Sequence, residues 1–165
     1  MTLDRHKGHA YSYDVTNLGF NYRLDEIRAA IGITQLKNLP AWNLKRKQNS
    51  DYYRQLLSCK VAQEAGLVVP FNAEHVTVGH LMPVLLPNTI KRERVMDLLR
   101  EKGIQSSIHY PPAHKFSHYR KSYPGVSLPI TEEYCARELS LPLHPLLTND
   151  DMQHVVDSLI SICTA

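Results

Sequence analysis

The chain has 165 residues, 43% of them hydrophobic and 21% charged, with a formal net charge of +3. That length predicts one domain or one and a half, large enough to bury roughly two thirds of its unfolded surface, and the composition excludes disordered and collagen-like classes. The charge is too mild and scattered to imply nucleic acid, since the one tight basic run is Lys45-Arg46-Lys47, inside an expected helix.

Residues 1–20, MTLDRHKGHAYSYDVTNLGF, are polar and aromatic without a clear period and read as an internal loop. From about residue 24 to 37, Ile27, Ala29, Ala30, Ile31, Ile33 and Leu36 point around most of a helix, which predicts a buried helix. Gly32 weakens it by about 1 kcal/mol relative to alanine and suggests close approach of another backbone. Leu39-Pro40 predicts a break, with Pro40 opening a second helix to about Cys59 and Trp42, Tyr52, Tyr53, Leu56 and Leu57 as its apolar contacts. The two make a helical hairpin or a bent long helix.

GLVVP and HVTVGHLMPVLLP, from Gly66 onward, are short apolar and β-branched runs, and Pro83 argues for an edge strand or bulge. A helix over 91–102 carries Val95, Leu98 and Leu99, and Gly103 stands where a left-handed cap closes it. IQSSIHY then alternates as a strand, Ile104, Ser106 and Ile108 on one face and Gln105, Ser107 and His109 on the other. Residues 111–129 form a long loop with a short helix around 115–121. A further helix begins at Thr131 with Glu132 and Glu133 in its first turn. Thr148 and Asp151 then cap a last helix faced by Met152, Val155, Val156, Leu159, Ile160 and Cys163. Cys59, Cys135 and Cys163 are odd in number and form no CxxC pair, which favours a reducing cytoplasm over a disulfide scaffold. No apolar run approaches the roughly 18 residues of a bilayer span, and residues 1–20 lack a signal-peptide core, so no membrane partner is expected.

Candidate chemistry is sparse. Asn21, before the first helix, suits either an anion held by helix N–H groups, with Arg23 adding charge, or a cap with Arg23 pairing to Asp25 or Glu26. His109, His114 and His118 invite a metal reading, but two prolines separate the first pair and the segment holds no carboxylate. His109 and Tyr110 fit hydrogen-bonding groups facing a cleft, with loop-packing aromatics as the bland alternative for Tyr110. Lys7, between His6 and His9, would need desolvation to act as a nucleophilic amine. No P-loop, GxSxG or GxGxxG motif is present.

Taken in order, LGFNYRLDEIRAAIGITQL, GIQSSIHYPPAHKFSHY and SLPLHPLLTNDDMQHVVDSL resemble the carboxy-terminal part of the pyridoxal-phosphate-dependent sugar aminotransferases, the DegT/DnrJ/StrS group. The resemblance spans essentially the whole chain. It implies an α+β fold, the small C-terminal domain of a PLP-dependent transferase-like fold, with a helical hairpin and a small antiparallel or mixed sheet flanked by helices. Residues 1–22 would be a remnant loop from the large-domain side, 23–60 the connecting and interface helices, and 61–165 the small domain. Members usually move an amino group from glutamate to a nucleotide-linked keto sugar. In them the residue matching Asn21 reaches across a dimer interface to the cofactor phosphate, Arg23 matches a position of the same shared site, and His109 and Tyr110 match the segment near the sugar-nucleotide pocket. The Schiff-base lysine lies upstream in that family, and its motif is absent here. The resemblance therefore implies a truncated or split member, with no cofactor bound and no transamination by this chain alone. A homodimer or a complementing N-terminal chain would be its partner. The alternative is a non-catalytic module that binds nucleotide sugars or assembles subunits.

Overall fold

Glu138, Leu139, Ser140 and Leu141 are all buried and form the strand around which the larger part of the molecule is built. The structure is a computed structural model describing residues 19–20, 22–71 and 77–164. It divides into two units, Met1–Lys37 and Asn38–Ala165.

The first helix, α1 (Glu26–Leu57), is continuous through Pro40, and no hairpin forms at Leu39-Pro40. A proline removes one ladder hydrogen bond and disfavours helix at the residue before it, but neither effect bars a helix held along its remaining length. Asp25 caps its start, Oδ1 accepting the Arg28 N–H at 2.9 Å while the two side chains form an ion pair at 3.2 Å. The expectation of a buried helix at 24–37 fails within the single chain. Ile27 is 76% exposed, Ile31 58%, Ile33 57% and Leu36 68%, and a Cβ on Gly32 would meet nothing within 4 Å. Among the described residues, nothing packs over these apolar side chains.

In the larger unit the end of α1 contributes Tyr53 and Leu57 to the core, and the short α2 (Lys60–Glu64) contributes Ala62. Strand β1 (Met82–Leu85) pairs antiparallel with β2 (Glu138–Leu141), Met82 opposite Leu141 and Leu85 opposite Glu138. Single pairings of Val68 with Leu85 and of Ser107 with Ser140 widen this ribbon at either edge. The Leu86 N–H donates to the Arg137 carbonyl, and Leu85 exchanges both backbone bonds with Val68. Even-numbered residues of β1 therefore bond toward β2 and odd-numbered ones away from it, so the missing N–H of Pro83 breaks no bond to β2. IQSSIHY does not become a continuous strand. Only Ser107 is paired, although Ile104 is buried and Gln105 and Ser107 are exposed, as alternation requires.

Helices α3 (Arg92–Glu101) and α6 (Asn149–Thr164) pack together and supply Val95 and Leu99, and Met152, Val155, Val156, Leu159 and Ile162, to the core. Gly103, at φ 77°, ends α3 in a Schellman motif: its N–H donates to the Arg100 carbonyl, and that of Ile104 to Leu99. The cap of α6 is the expected reciprocal one. The Asp151 N–H donates to Thr148 Oγ1 at 3.1 Å, and the Thr148 N–H to Asp151 Oδ2 at 2.9 Å. Between them lie a 3-10 turn (Ala113–Lys115), α4 (Ser117–Ser122) and α5 (Pro129–Arg137). Helix α5 starts two residues before Thr131 because Pro129 is preset for its first position.

Gly79 has φ 61°, and a Cβ there would stand 2.8 Å from the Arg46 carbonyl oxygen, a backbone atom of α1 that cannot step aside. Gly79→Ala should destabilise the chain by about 2 kcal/mol or more, read as a lower urea midpoint at unchanged slope.

Candidate functional site

His109 sits where the segment after α3 leaves the sheet, beside β2. Its backbone N–H donates to Glu138 Oε2 at 2.9 Å, and its ring Nδ1 lies 2.8 Å from Ser140 Oγ. The Ser140 hydroxyl in turn donates to Glu138 Oε1 at 2.6 Å. Glu138 is 2% exposed and Ser140 4%, so this polar group lies under the surface with its partners arranged around it. A buried carboxylate is tolerable only when it is hydrogen-bonded, and here both oxygens are.

The Arg92 side chain donates to the carbonyls of Cys135 and Glu138, and Arg137 Nε donates to the Leu86 carbonyl at 2.7 Å. These guanidinium groups fasten the junction of α5 and β2, which fixes where Glu138 begins. Burial, and after it the negative charge of Glu138, pushes the Tyr134 phenol above its ordinary pKa.

Two clefts meet at His109. One, of about 610 Å³, is lined by His80, Gln105, Ser140, His144, Asp151 and His154 among others. The buried Asn49 side chain of α1 donates to the His144 carbonyl at 2.9 Å and holds the LPLHP turn against this cleft. The second, of about 490 Å³, shares His80, Leu81 and His109 and is walled by Arg54, Phe71, Tyr134 and Glu138. Tyr110 lines neither. It is 68% exposed, with its ring edge-on to that of His109 at 5.0 Å between centroids.

Of the other residues marked in the sequence, Asn21 and Lys7 lie outside the described residues. Arg23 is exposed in the amino-terminal unit, and Asp25 is paired with Arg28 rather than with it. His114 Nε2 contacts Glu132 Oε1 at 2.9 Å, and the His118 ring packs edge-on against Tyr119, so neither histidine shares His109's partners. Every lysine among the described residues is exposed. None of them lines either cleft at His109.

The sequence points to His109 but not to Ser140 and Glu138, which the fold sets beside it. Their signal was the alternation E-L-S-L, two polar residues interleaved with two core leucines, but the run is short and ends in Pro142, so it merged with the LPLHP turn.

The loop after Tyr110 is tied back to α5 by Glu132, whose carboxylate meets His114, Lys115 Nζ at 2.9 Å and the Leu128 N–H at 3.1 Å. The His114 bond foremost, then those of Lys115 and Leu128, holds its pKa down to about 2 from 4.5. A carboxyl whose pKa is lower folded than unfolded stabilises above the unfolded value, and that stability is lost as pH falls through the folded one. Stability should therefore decline between about pH 4.5 and pH 2. In an acid series followed by urea midpoint, Glu132→Gln should show a smaller decline than the parent over that window.

Residues 2–160 match the DegT/DnrJ/EryC1/StrS aminotransferase family. Among solved structures, S. venezuelae DesV in complex with a ketimine intermediate aligns at TM-score 0.79 and 29% identity, over 98% of this chain and 42% of that one. A DegT DnrJ EryC1 StrS aminotransferase from Brucella abortus aligns at 0.77 and 29%, over 96% and 41%. A putative PLP-dependent aminotransferase from Bacillus cereus aligns at 0.76 and 27%, over 87% and 39%. The chain thus spans about two fifths of the length of these proteins.

Proposed function

The chain belongs to the DegT/DnrJ/EryC1/StrS aminotransferase family, and we propose that it forms the carboxy-terminal part of an aminotransferase acting on a nucleotide-linked keto sugar, with glutamate as the usual donor. In this reading residues 61–165 are the small α+β domain, 23–60 connect and form the interface, and 1–22 belong to the large-domain side. The observation that carries it is the cleft at His109, where a ring held by buried partners stands beside polar side chains suited to hydroxyl-rich ligands. His109 contacts the sugar nucleotide in this cleft, and Tyr110, exposed beside that ring and outside both clefts, is the second contact the family likeness suggests. Asn21 meets the cofactor phosphate, and Arg23 belongs to the same shared site.

Pyridoxal phosphate, the cofactor of this family, supplies an aldehyde that condenses with amines and a ring that withdraws electrons. The described residues do not supply a complete site for it, because their lysines are all exposed and none lines either cleft at His109. Because the family's lysine motif is absent from the sequence, this reading takes the Schiff-base lysine from other polypeptide and expects no transamination by the chain alone. Incubated with pyridoxal phosphate and glutamate, then reduced with borohydride, it should show only scattered, substoichiometric adducts on surface lysines by peptide mass mapping, with no single stoichiometric site. A specific adduct on any of its nine lysines, with turnover, would overturn this.

The partner we propose is a second copy, docked through residues 24–37, and the exposed Ile27, Ile31, Ile33 and Leu36 support it. Free Cys59, Cys135 and Cys163 support a cytoplasmic setting, and among the described residues no helix is long and apolar enough to cross a membrane. Ile31→Asp should convert the self-associated chain to a monomer in light scattering after gel filtration. An unchanged oligomer would remove this helix from the contact.

A further inference from the structure

The hydrogen-bond arithmetic at Glu138, Ser140 and His109 has one consistent solution when Glu138 is ionised. A carboxylate only accepts, and its two oxygens take the His109 backbone N–H at 2.9 Å and the Ser140 hydroxyl at 2.6 Å. Ser140 has a single hydroxyl hydrogen, and it is spent on Glu138. The contact of 2.8 Å between Ser140 Oγ and His109 Nδ1 must then have its hydrogen on Nδ1, because two lone pairs at that distance repel. A neutral imidazole protonated at Nδ1 carries a lone pair at Nε2. Among the described residues Nε2 has no hydrogen-bond partner, and His109 lines both clefts.

We propose that Glu138 and Ser140 are positioning residues that hold His109 as its Nδ1–H tautomer, so that Nε2 accepts a hydrogen bond from a hydroxyl or N–H of the ligand in the cleft. The relay rests on the chain's own geometry, and only the identity of that ligand rests on the sugar-nucleotide reading. The tautomer determines which groups the cleft selects. An Nε2 lone pair favours a donor, such as a sugar hydroxyl, and disfavours a carbonyl or phosphate oxygen at that spot, where two acceptors would face each other. Burial of the two positioning residues makes the preference durable, since neither can turn to water for another partner.

The opposite arrangement is chemically well defined. Were Glu138 protonated, it would donate to Ser140, Ser140 would donate to Nδ1, and the ring hydrogen would sit on Nε2. Long-range ¹⁵N–¹H correlation spectra of the imidazole, recorded at about pH 8 where an ordinary histidine is neutral, separate the two states directly. The wild-type chain should give the Nδ1–H pattern for His109. Glu138→Gln keeps the shape but can turn an amide donor toward Ser140 while its oxygen keeps the His109 N–H, so it should move the ring toward Nε2–H. Ser140→Ala should lose the fixed Nδ1–H signal, and Ser140→Thr, which restores the hydroxyl, should recover it. An Nε2–H ring in the wild type, or a folded Glu138→Gln variant with an unchanged tautomer, would overturn the proposal. Titration with UDP-glucose separates the two readings. An Nδ1–H ring whose Nε2 resonance responds to the nucleotide sugar supports both. An Nδ1–H ring that ignores it upholds the relay and counts against the sugar-nucleotide assignment alone.

Discussion

The architecture depends on the pairing of two four-residue strands, one of which carries a carboxylate into the interior. β2 is buried along its whole length, so each of its side chains must be satisfied by something the protein supplies. Leu139 and Leu141 meet that demand by packing, and Glu138 and Ser140 by bonding to each other and to His109. An unpaired buried carboxylate costs several kcal/mol. The same strand that closes the core therefore also fixes the position of His109, which lines both clefts, and stability and site geometry have a common cause.

The surrounding elements brace this strand from both ends. Arg92 and Arg137 bind carbonyls where α5 meets β2 and where β1 leaves the sheet, and Asn49 bonds the turn that follows β2. Polar side chains that reach across long sequence separations to backbone carbonyls hold a loop or strand end at a set depth, which apolar packing alone does not do. The exposed apolar face of α1 in the amino-terminal unit contrasts with this. Its isoleucines are spaced for burial, yet they stand 57–76% exposed.

Some of this was legible in the residues. The cap at Thr148 and Asp151, the left-handed closure at Gly103 and the amphipathic stripe of α6 were readable because each is set by a few neighbours in the chain. The break expected at Pro40 did not occur, since proline's local cost was outweighed by a long helix anchored by Asn49, Tyr53 and Leu57. The strand expected at IQSSIHY shrank to one pairing at Ser107, because alternation reports which residues are buried but not whether a neighbouring strand is present to bond with. β2 itself passed unnoticed for the same reason in reverse. Four residues make too short a pattern, and their partners in β1 lie more than fifty positions away in the chain.

What the sequence determined alone was class and kinship: a mixed α+β chain, the cysteine chemistry it avoids, and motifs that place it in the DegT/DnrJ/EryC1/StrS aminotransferase family. It also singled out His109. Only the tertiary structure decided that Glu138 and Ser140 stand behind that ring, that Tyr110 turns outward, and that Ile27, Ile31, Ile33 and Leu36 are exposed. The division follows from range. Caps and periodicities are interactions between residues a few positions apart, whereas a buried polar group is satisfied by partners brought together only when distant segments pack.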